Sequence, residues 1–148
     1  GDMLRMMLQS NGYVKFPILK KKYYIDCLEK IKNLKNYKIL FFTDTAHSWI
    51  NKSFIPHYKN SFLIENNKND EDLYLMSQCD YLIISNSTLS YWAGIIGKTK
   101  KVFAPKYVMN IGGKNKLKFK NIDYYPNNWN IIDNFKTSIW KLEENNIN

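Results

Sequence analysis

Apolar and polar positions along the chain fall into blocks whose period changes, and each change predicts an element. From Gly1 to Leu19 no period is clear, and Asn11-Gly12 with Pro17 marks a loop. From Lys20 to about Leu34, the residues Tyr24, Leu28, Ile31 and Leu34 or Lys35 recur at helical spacing with lysines opposite, which predicts an amphipathic helix. Lys38-Ile39-Leu40-Phe41-Phe42-Thr43 is a short apolar run of the kind buried on both faces in a parallel sheet. Asp44 and Thr45 can cap a helical segment around His47 to Phe54 that stops by Pro56. Ser61-Phe62-Leu63-Ile64-Glu65 is a second strand, and Asn66 to Asp70 a polar connection. Asp70-Glu71-Asp72 opens a helix running to Cys79, with carboxylates where the helix dipole favours them. Tyr81 to Ser85 is a third strand, Asn86 to Ile96 a helix with Gly97 as its left-handed stop, and Lys101 to Ala104 a fourth strand closed by Pro105. Beyond it, Ile111-Gly112-Gly113-Lys114 lacks phosphate-loop spacing and reads as a flexible loop. Asn130 to Asp133 reads as an edge strand, Phe135 to Leu142 as a helix, and Glu143 to Asn148 as a frayed tail.

Strands alternating with helices predict an α/β fold: a Rossmann-like parallel sheet with helices on both faces, formed by residues 1–148 as one domain. Ligands in such sheets bind at the carboxyl ends of the strands. Asp44, Asn66, Asn86 to Ser90 and Pro105 all follow predicted strands, so they share one rim.

Composition narrows the class. The 148 residues suffice for one cored domain, and 45% hydrophobic with 16% aromatic residues exclude a disordered chain. No apolar run approaches the roughly 20 residues that span a bilayer, and no signal-peptide core is present, so the chain reads as soluble. The two cysteines, Cys27 and Cys79, have no metal-binding spacing and sit among apolar neighbours as buried thiols. The net charge of +9 comes almost wholly from scattered lysines, with Arg5 the only arginine. Without the bidentate guanidinium fork and without clustering, this charge argues against a nucleic-acid face.

The candidate chemistry lies in Asn86-Ser87-Thr88-Leu89-Ser90-Tyr91-Trp92, between the third strand and its helix. The first-turn N–H groups of a helix lack intrahelical acceptors and carry the positive end of its dipole, so an anion is stabilised there. Ser87, Thr88 and Ser90 can add hydroxyl donors. The same residues also make a plain N-cap, and both readings stand at this point.

Three segments in order carry a resemblance. Asp72-Leu73-Tyr74-Leu75-Met76-Ser77-Gln78-Cys79, Ile83-Ile84-Ser85-Asn86-Ser87-Thr88-Leu89-Ser90-Tyr91-Trp92-Ala93-Gly94 and Val102-Phe103-Ala104-Pro105-Lys106 resemble the DLxLMSxC, NSTFSWW and APKxW segments of the family 11 α-1,2-fucosyltransferases. Phe41-Phe42-Thr43-Asp44 with Trp49, and Asp123-Tyr124-Tyr125-Pro126-Asn127-Asn128-Trp129, resemble two further family stretches. Leu89 and Tyr91 replace the usual Phe and Trp, and Tyr107 replaces a Trp. The family's first motif, His-x-Arg-Arg-Gly-Asp, is absent; Gly1-Asp2 are either its tail or a remnant of cloning.

The resemblance implies the carboxyl-terminal, GDP-fucose-binding half of a two-domain GT-B enzyme, which transfers L-fucose with inversion to the 2-hydroxyl of a galactoside. No cofactor and no metal are implied. In this reading Asn86, Ser87, Thr88 and Leu89 form the donor-binding turn, with Ser87 and Thr88 donating to the pyrophosphate. Asp72, sixteen positions before Thr88, reads guanine or is simply a first-turn carboxylate. Asp44 touches the ribose or caps. No catalytic base is identifiable: His47 and His57, the only histidines, read as capping and loop residues. Partners are then a nucleotide-sugar donor, a glycan acceptor and the missing amino-terminal half, with peripheral membrane association open to the full-length enzyme and nucleic acid excluded. A cytoplasmic location is expected, or a membrane or Golgi one if the parent chain carries an anchor. The isolated chain is expected to bind GDP without turnover. The alternative is a non-catalytic nucleotide-sugar-binding or interaction domain.

Overall fold

Alternate residues of the central strands point to opposite sides, and each side is buried by different helices. In the computed structural model, which describes residues 12–43, 50, 52, 54–120 and 123–142, three strands form one parallel ladder: β4 (Tyr81–Ile83), β5 (Lys101–Pro105) and β6 (Asn130–Ile132). Leu82 pairs with Val102, and Ala104 with Ile131. Leu82, Ile84, Val102 and Ala104 join Met76, Ala93 and Trp129 in one apolar cluster. Phe103 joins Leu19, Tyr23, Cys27, Leu28 and Ile31 in a second, with Tyr81 and Ile83 packed against it. The period of two thus divides one sheet between two cores.

The helices follow from the same division. Helix α1 (Lys21–Leu28) buries Tyr23, Cys27 and Leu28 in the second cluster. Helices α2 (Asn69–Ser77) and α3 (Thr88–Ile96) supply Met76 and Ala93 to the first. Helices on both faces were expected, and the sheet has them. The α2 start is also as expected: Asp70, Glu71 and Asp72 occupy its first turn, and Glu71 Oε2 accepts the Lys68 N–H at 2.7 Å. A second parallel ladder pairs β2 (Ile39–Phe42) with β3 (Ser61–Ile64). Its Phe42 packs on the first cluster and its Ile39 on the second, so both ladders share the two cores.

Four expectations need correction. Residues 12–19 are no loop but strand β1 (Gly12–Leu19), paired antiparallel with β7 (Ser138–Leu142). Pro17 has no N–H to give, and the register shifts between Tyr13 and Ile18, which is why the segment hides its strand period. Phe135 to Leu142 is not helical: Ser138 and Trp140 are buried while Lys141 is exposed, the alternation of a strand. The first helix ends at Leu28, not near Leu34. Lys30 N–H and Ile31 N–H bond three residues back, to the Cys27 and Leu28 carbonyls, and Asn33 adopts a left-handed φ of 56°. Ile31 still reaches the core through these turns, so the helical spacing outlasts the helix.

Gly97 is the fourth. It ends α3 with φ −75° and ψ 160°, which is not left-handed. The reason for glycine is proximity: a Cβ there would lie 2.6 Å from the Ala93 carbonyl oxygen and 2.8 Å from that of Ser77. The backbone ends of α3 and α2 close on each other at that point. The expected helix around His47 to Phe54, the cap at Asp44 and Thr45, Trp49, Gly1-Asp2 and the tail from Glu143 lie largely or wholly outside the described residues.

Candidate functional site

The turn after β4 is clamped before it opens. Ile84 N–H donates to the Phe103 carbonyl at 2.9 Å, and the Ile84 carbonyl accepts the buried Tyr23 hydroxyl, also at 2.9 Å. Ile84 is 1% exposed and Tyr23 fully buried, so both bonds lie out of water, where losing a partner is expensive. Burial holds the Tyr23 phenol well above its ordinary pKa and lifts the Cys27 thiol to about 12, leaving this support uncharged.

Two residues later, Asn86 Nδ2 donates to the Pro17 carbonyl of β1 at 2.8 Å. The amide is thereby oriented, and its Oδ1 is buried with no hydrogen-bond partner among the described residues. Ser87 is the N-cap of α3 in extended conformation, but no side-chain capping bond forms. Its carbonyl takes the bonds instead, from Tyr91 N–H at 3.1 Å and Ser90 Oγ at 3.0 Å. The Ser87 and Thr88 hydroxyls are left on exposed residues without a partner among the described residues. Ser87 thus caps α3 by its backbone, and neither hydroxyl takes part in the cap.

These residues form one side of a cleft of about 240 Å³, floored by Ile84 and running from Ser85 to Thr88. The other side is apolar and aromatic: Phe16 of β1, Val108, Tyr91 of α3, and the adjacent Tyr124 and Tyr125. The Tyr91 hydroxyl donates to the Tyr124 carbonyl at 3.0 Å, and the Tyr124 and Tyr125 rings lie 4.8 Å apart. Behind them Trp129 packs 5.4 Å from Tyr125 and 5.6 Å from Tyr91. Gly94 makes this possible, since a Cβ on it would come within 2.7 Å of the Trp129 ring. Burial pushes both the Tyr124 and Tyr125 phenols up, so the wall is neutral at physiological pH. No charged residue lines the cleft among the described residues; the Lys15 ammonium lies 5.5 Å from the centroid of the Phe16 ring.

A larger depression, about 540 Å³, is bordered by Asp26, Glu29, Lys30 and Asp133. Three carboxylates against one lysine give the wrong sign for a phosphate ligand.

Of the sequence-derived site residues, Asn86, Ser87 and Thr88 meet in the cleft. Leu89 instead turns inward against the first cluster. Asp72 does not line the cleft; it sits in the first turn of α2, where its Oδ1 accepts from Asn67 Nδ2 at 3.0 Å. Asp44 and His47 lie outside the described residues, and His57 is exposed in a short 3-10 turn. Sequence reasoning assigned no role to Phe16, Val108, Tyr91, Tyr124 or Tyr125. The Asp123 to Trp129 stretch carried a signal through its resemblance; Phe16, in a segment read as loop, carried none.

No group of three or more metal-ligating side chains occurs among the described residues, and no described helix is long and apolar enough to cross a membrane.

Fold and site together define a mixed α/β protein with parallel ladders and a largely apolar cleft at a strand-to-helix junction. The family model for glycosyl transferase family 11 matches residues 1–133, and the chain belongs to that family. It is similar to an alpha-1,2-colitosyltransferase of Escherichia coli, with 32% identity over 80 residues, which is 49% of this chain and 26% of the relative. The match thus spans about a quarter of that protein's length. No solved structure matches the chain.

Proposed function

We propose that this chain binds a GDP-sugar as the donor-binding, carboxyl-terminal half of a GT-B transferase that passes a deoxy sugar, L-fucose in the first instance, to the 2-hydroxyl of a galactoside. The observation that carries the reading is the turn from Ser85 to Thr88. Two unpartnered hydroxyls stand at the start of α3, beside N–H groups that need acceptors, in the wall of a cleft. A pyrophosphate supplies such acceptors. Family membership supports transferase chemistry with a nucleotide-sugar donor and a glycan acceptor.

In this reading Ser87 and Thr88 donate to the pyrophosphate, while Asn86 ties the turn to β1. Leu89 seats the first turn of α3 on the core. Asp72 takes the guanine edge from outside the cleft, where the Asn67 amide holds its carboxylate. During transfer the acceptor oxygen bonds to the sugar's anomeric carbon as the bond to GDP breaks, and the hydroxyl proton passes to a base. That base and the acceptor site belong to the other half of the enzyme. No metal is assigned: donors at the helix start take up the charge that develops on GDP.

A second reading keeps the site and changes the sugar. The relative is named for colitosyl transfer, so colitose in place of fucose is favoured by that match. A third, a domain that binds nucleotide sugar without catalysis, shares every binding expectation and parts from the first only in turnover.

Titration calorimetry tests the reading. GDP should bind in preference to ADP, and Thr88→Ala or Asp72→Ala should weaken it by about tenfold, the loss of one charge-assisted bond. Equal affinity for GDP and ADP would sink the guanine assignment and with it the donor.

A further inference from the structure

The geometry points to the aromatic side of the cleft, Phe16 with Tyr91, Tyr124 and Tyr125, as the seat of the transferred sugar ring rather than of the nucleobase; this rests on the GDP-sugar reading above. Size is the first argument. Pockets for whole drug-sized ligands run to roughly 300–1,000 Å³. At about 240 Å³ this one takes a single ring beside the phosphate turn and leaves the rest of the donor outside.

Chemistry decides which ring. The Watson–Crick edge of guanine offers two N–H donors side by side, which call for a carboxylate or a pair of carbonyls. Among the described residues the cleft has no carboxylate, and Asp72 lies beyond its walls. Its lining is instead largely apolar, with neutral phenols. A 6-deoxyhexose suits such a wall: one face of the pyranose is a patch of C–H groups, and C6 is a methyl. Burying that methyl and face against aromatic carbon is favourable, and a hydroxyl at C6 would lose its water without gaining a partner.

Tyr124 supplies the platform. It is 51% exposed, so a ring face is open, yet its position is held by the Tyr91 hydroxyl on its carbonyl and by the Tyr125 ring. Opposite in character stands the Asn86 amide, fixed by the Pro17 carbonyl with Oδ1 lacking a donor. A sugar hydroxyl can donate to that oxygen, and a phosphate oxygen cannot.

The test is calorimetric titration of the full chain and its Tyr124→Ala and Tyr124→Phe variants with GDP, GDP-fucose and GDP-L-galactose. Tyr124→Ala should weaken GDP-fucose by about fivefold while GDP changes less than about twofold, and Tyr124→Phe should keep the parent affinities for both. GDP-L-galactose, which differs from GDP-fucose only by its C6 hydroxyl, should bind more weakly than GDP-fucose to the parent chain and lose that disadvantage in Tyr124→Ala. Equal losses for GDP and GDP-fucose would put the base on Tyr124 and overturn the proposal; so would no change for either. A parent chain that fails to prefer GDP over ADP would instead remove the reading on which the proposal rests, so the two failures are distinguishable.

Discussion

The two sides of the cleft are built in opposite ways. The polar side is contiguous: five consecutive residues, Ile84 to Thr88, leave one strand and enter one helix, held by a hydrogen bond from the Tyr23 hydroxyl and by bonds donated to the carbonyls of Phe103 and Pro17. The aromatic side is assembled from four places in the chain, at positions 16, 91, 108 and 124–125, and is held chiefly by ring packing on Trp129. A phosphate needs donors at fixed spacing, which a single turn supplies through its own backbone geometry. A ring needs only complementary surface, which side chains from anywhere can provide. The first side therefore presents hydroxyls and helix-start N–H groups at fixed spacing, and the second a largely apolar surface gathered by the fold.

The contrast can be broken most severely at Trp129. Trp129→Ala removes the buried backing of the aromatic side, and chemical denaturation should register a loss of about 3 to 5 kcal/mol. Gly97→Ala attacks the scaffold beneath both sides, since its Cβ meets two backbone oxygens; about 3 kcal/mol is expected by the same measurement. Tyr23→Phe acts on the polar side alone. It takes the hydroxyl from the Ile84 carbonyl and should cost about 1 to 2 kcal/mol, with weaker GDP binding as the turn loosens.

Alkaline pH should act on the support behind the polar side. Cys27 is raised from 9.0 to about 12, and Tyr23 is raised from 10.0, both by burial. Below pH 9 these groups are neutral whether the chain is folded or not, so their contribution is intact. Between pH 9 and about 12 the unfolded chain releases their protons and the folded one does not, so stability falls as pH rises. Cys27→Ala should flatten that fall in denaturation midpoints measured across the range. The smallest effect belongs to Tyr124→Ala, which should change stability by less than about 0.5 kcal/mol because the ring is half exposed. A large loss there would mean that the ring is a structural member and would erase the distinction between platform and backing.

The parallel strands, the helices on both faces and the strand-to-helix turn before α3 were legible because each is a local pattern: an apolar run, a period, a cluster of capping residues. Pairing between β1 and β7 was not, since Pro17 interrupts one strand's period and nothing near Gly12 in the sequence announces Leu142 as its partner. The aromatic side suffered the same limit. Tyr91 and Trp129 stand in stretches that sequence reasoning marked, but only the fold brings Phe16 to them. Asp72 stood between two readings, a guanine contact and a first-turn carboxylate, and the fold adds that it lies in the first turn of α2 with its carboxylate accepting from the Asn67 amide.

The antiparallel pair has a consequence in time. Joining β1 to β7 closes nearly the whole described chain into a loop, a step whose entropic cost is met only after shorter-range contacts have formed. Phe16 and the carbonyl that fixes Asn86 both ride on β1. The central ladder and its strand-to-helix turn can thus assemble early, while the finished pocket waits for the last strand to dock. In a refolding experiment, secondary structure should return before ligand-binding competence does, and the interval between them would time the zipping of the first strand to the last.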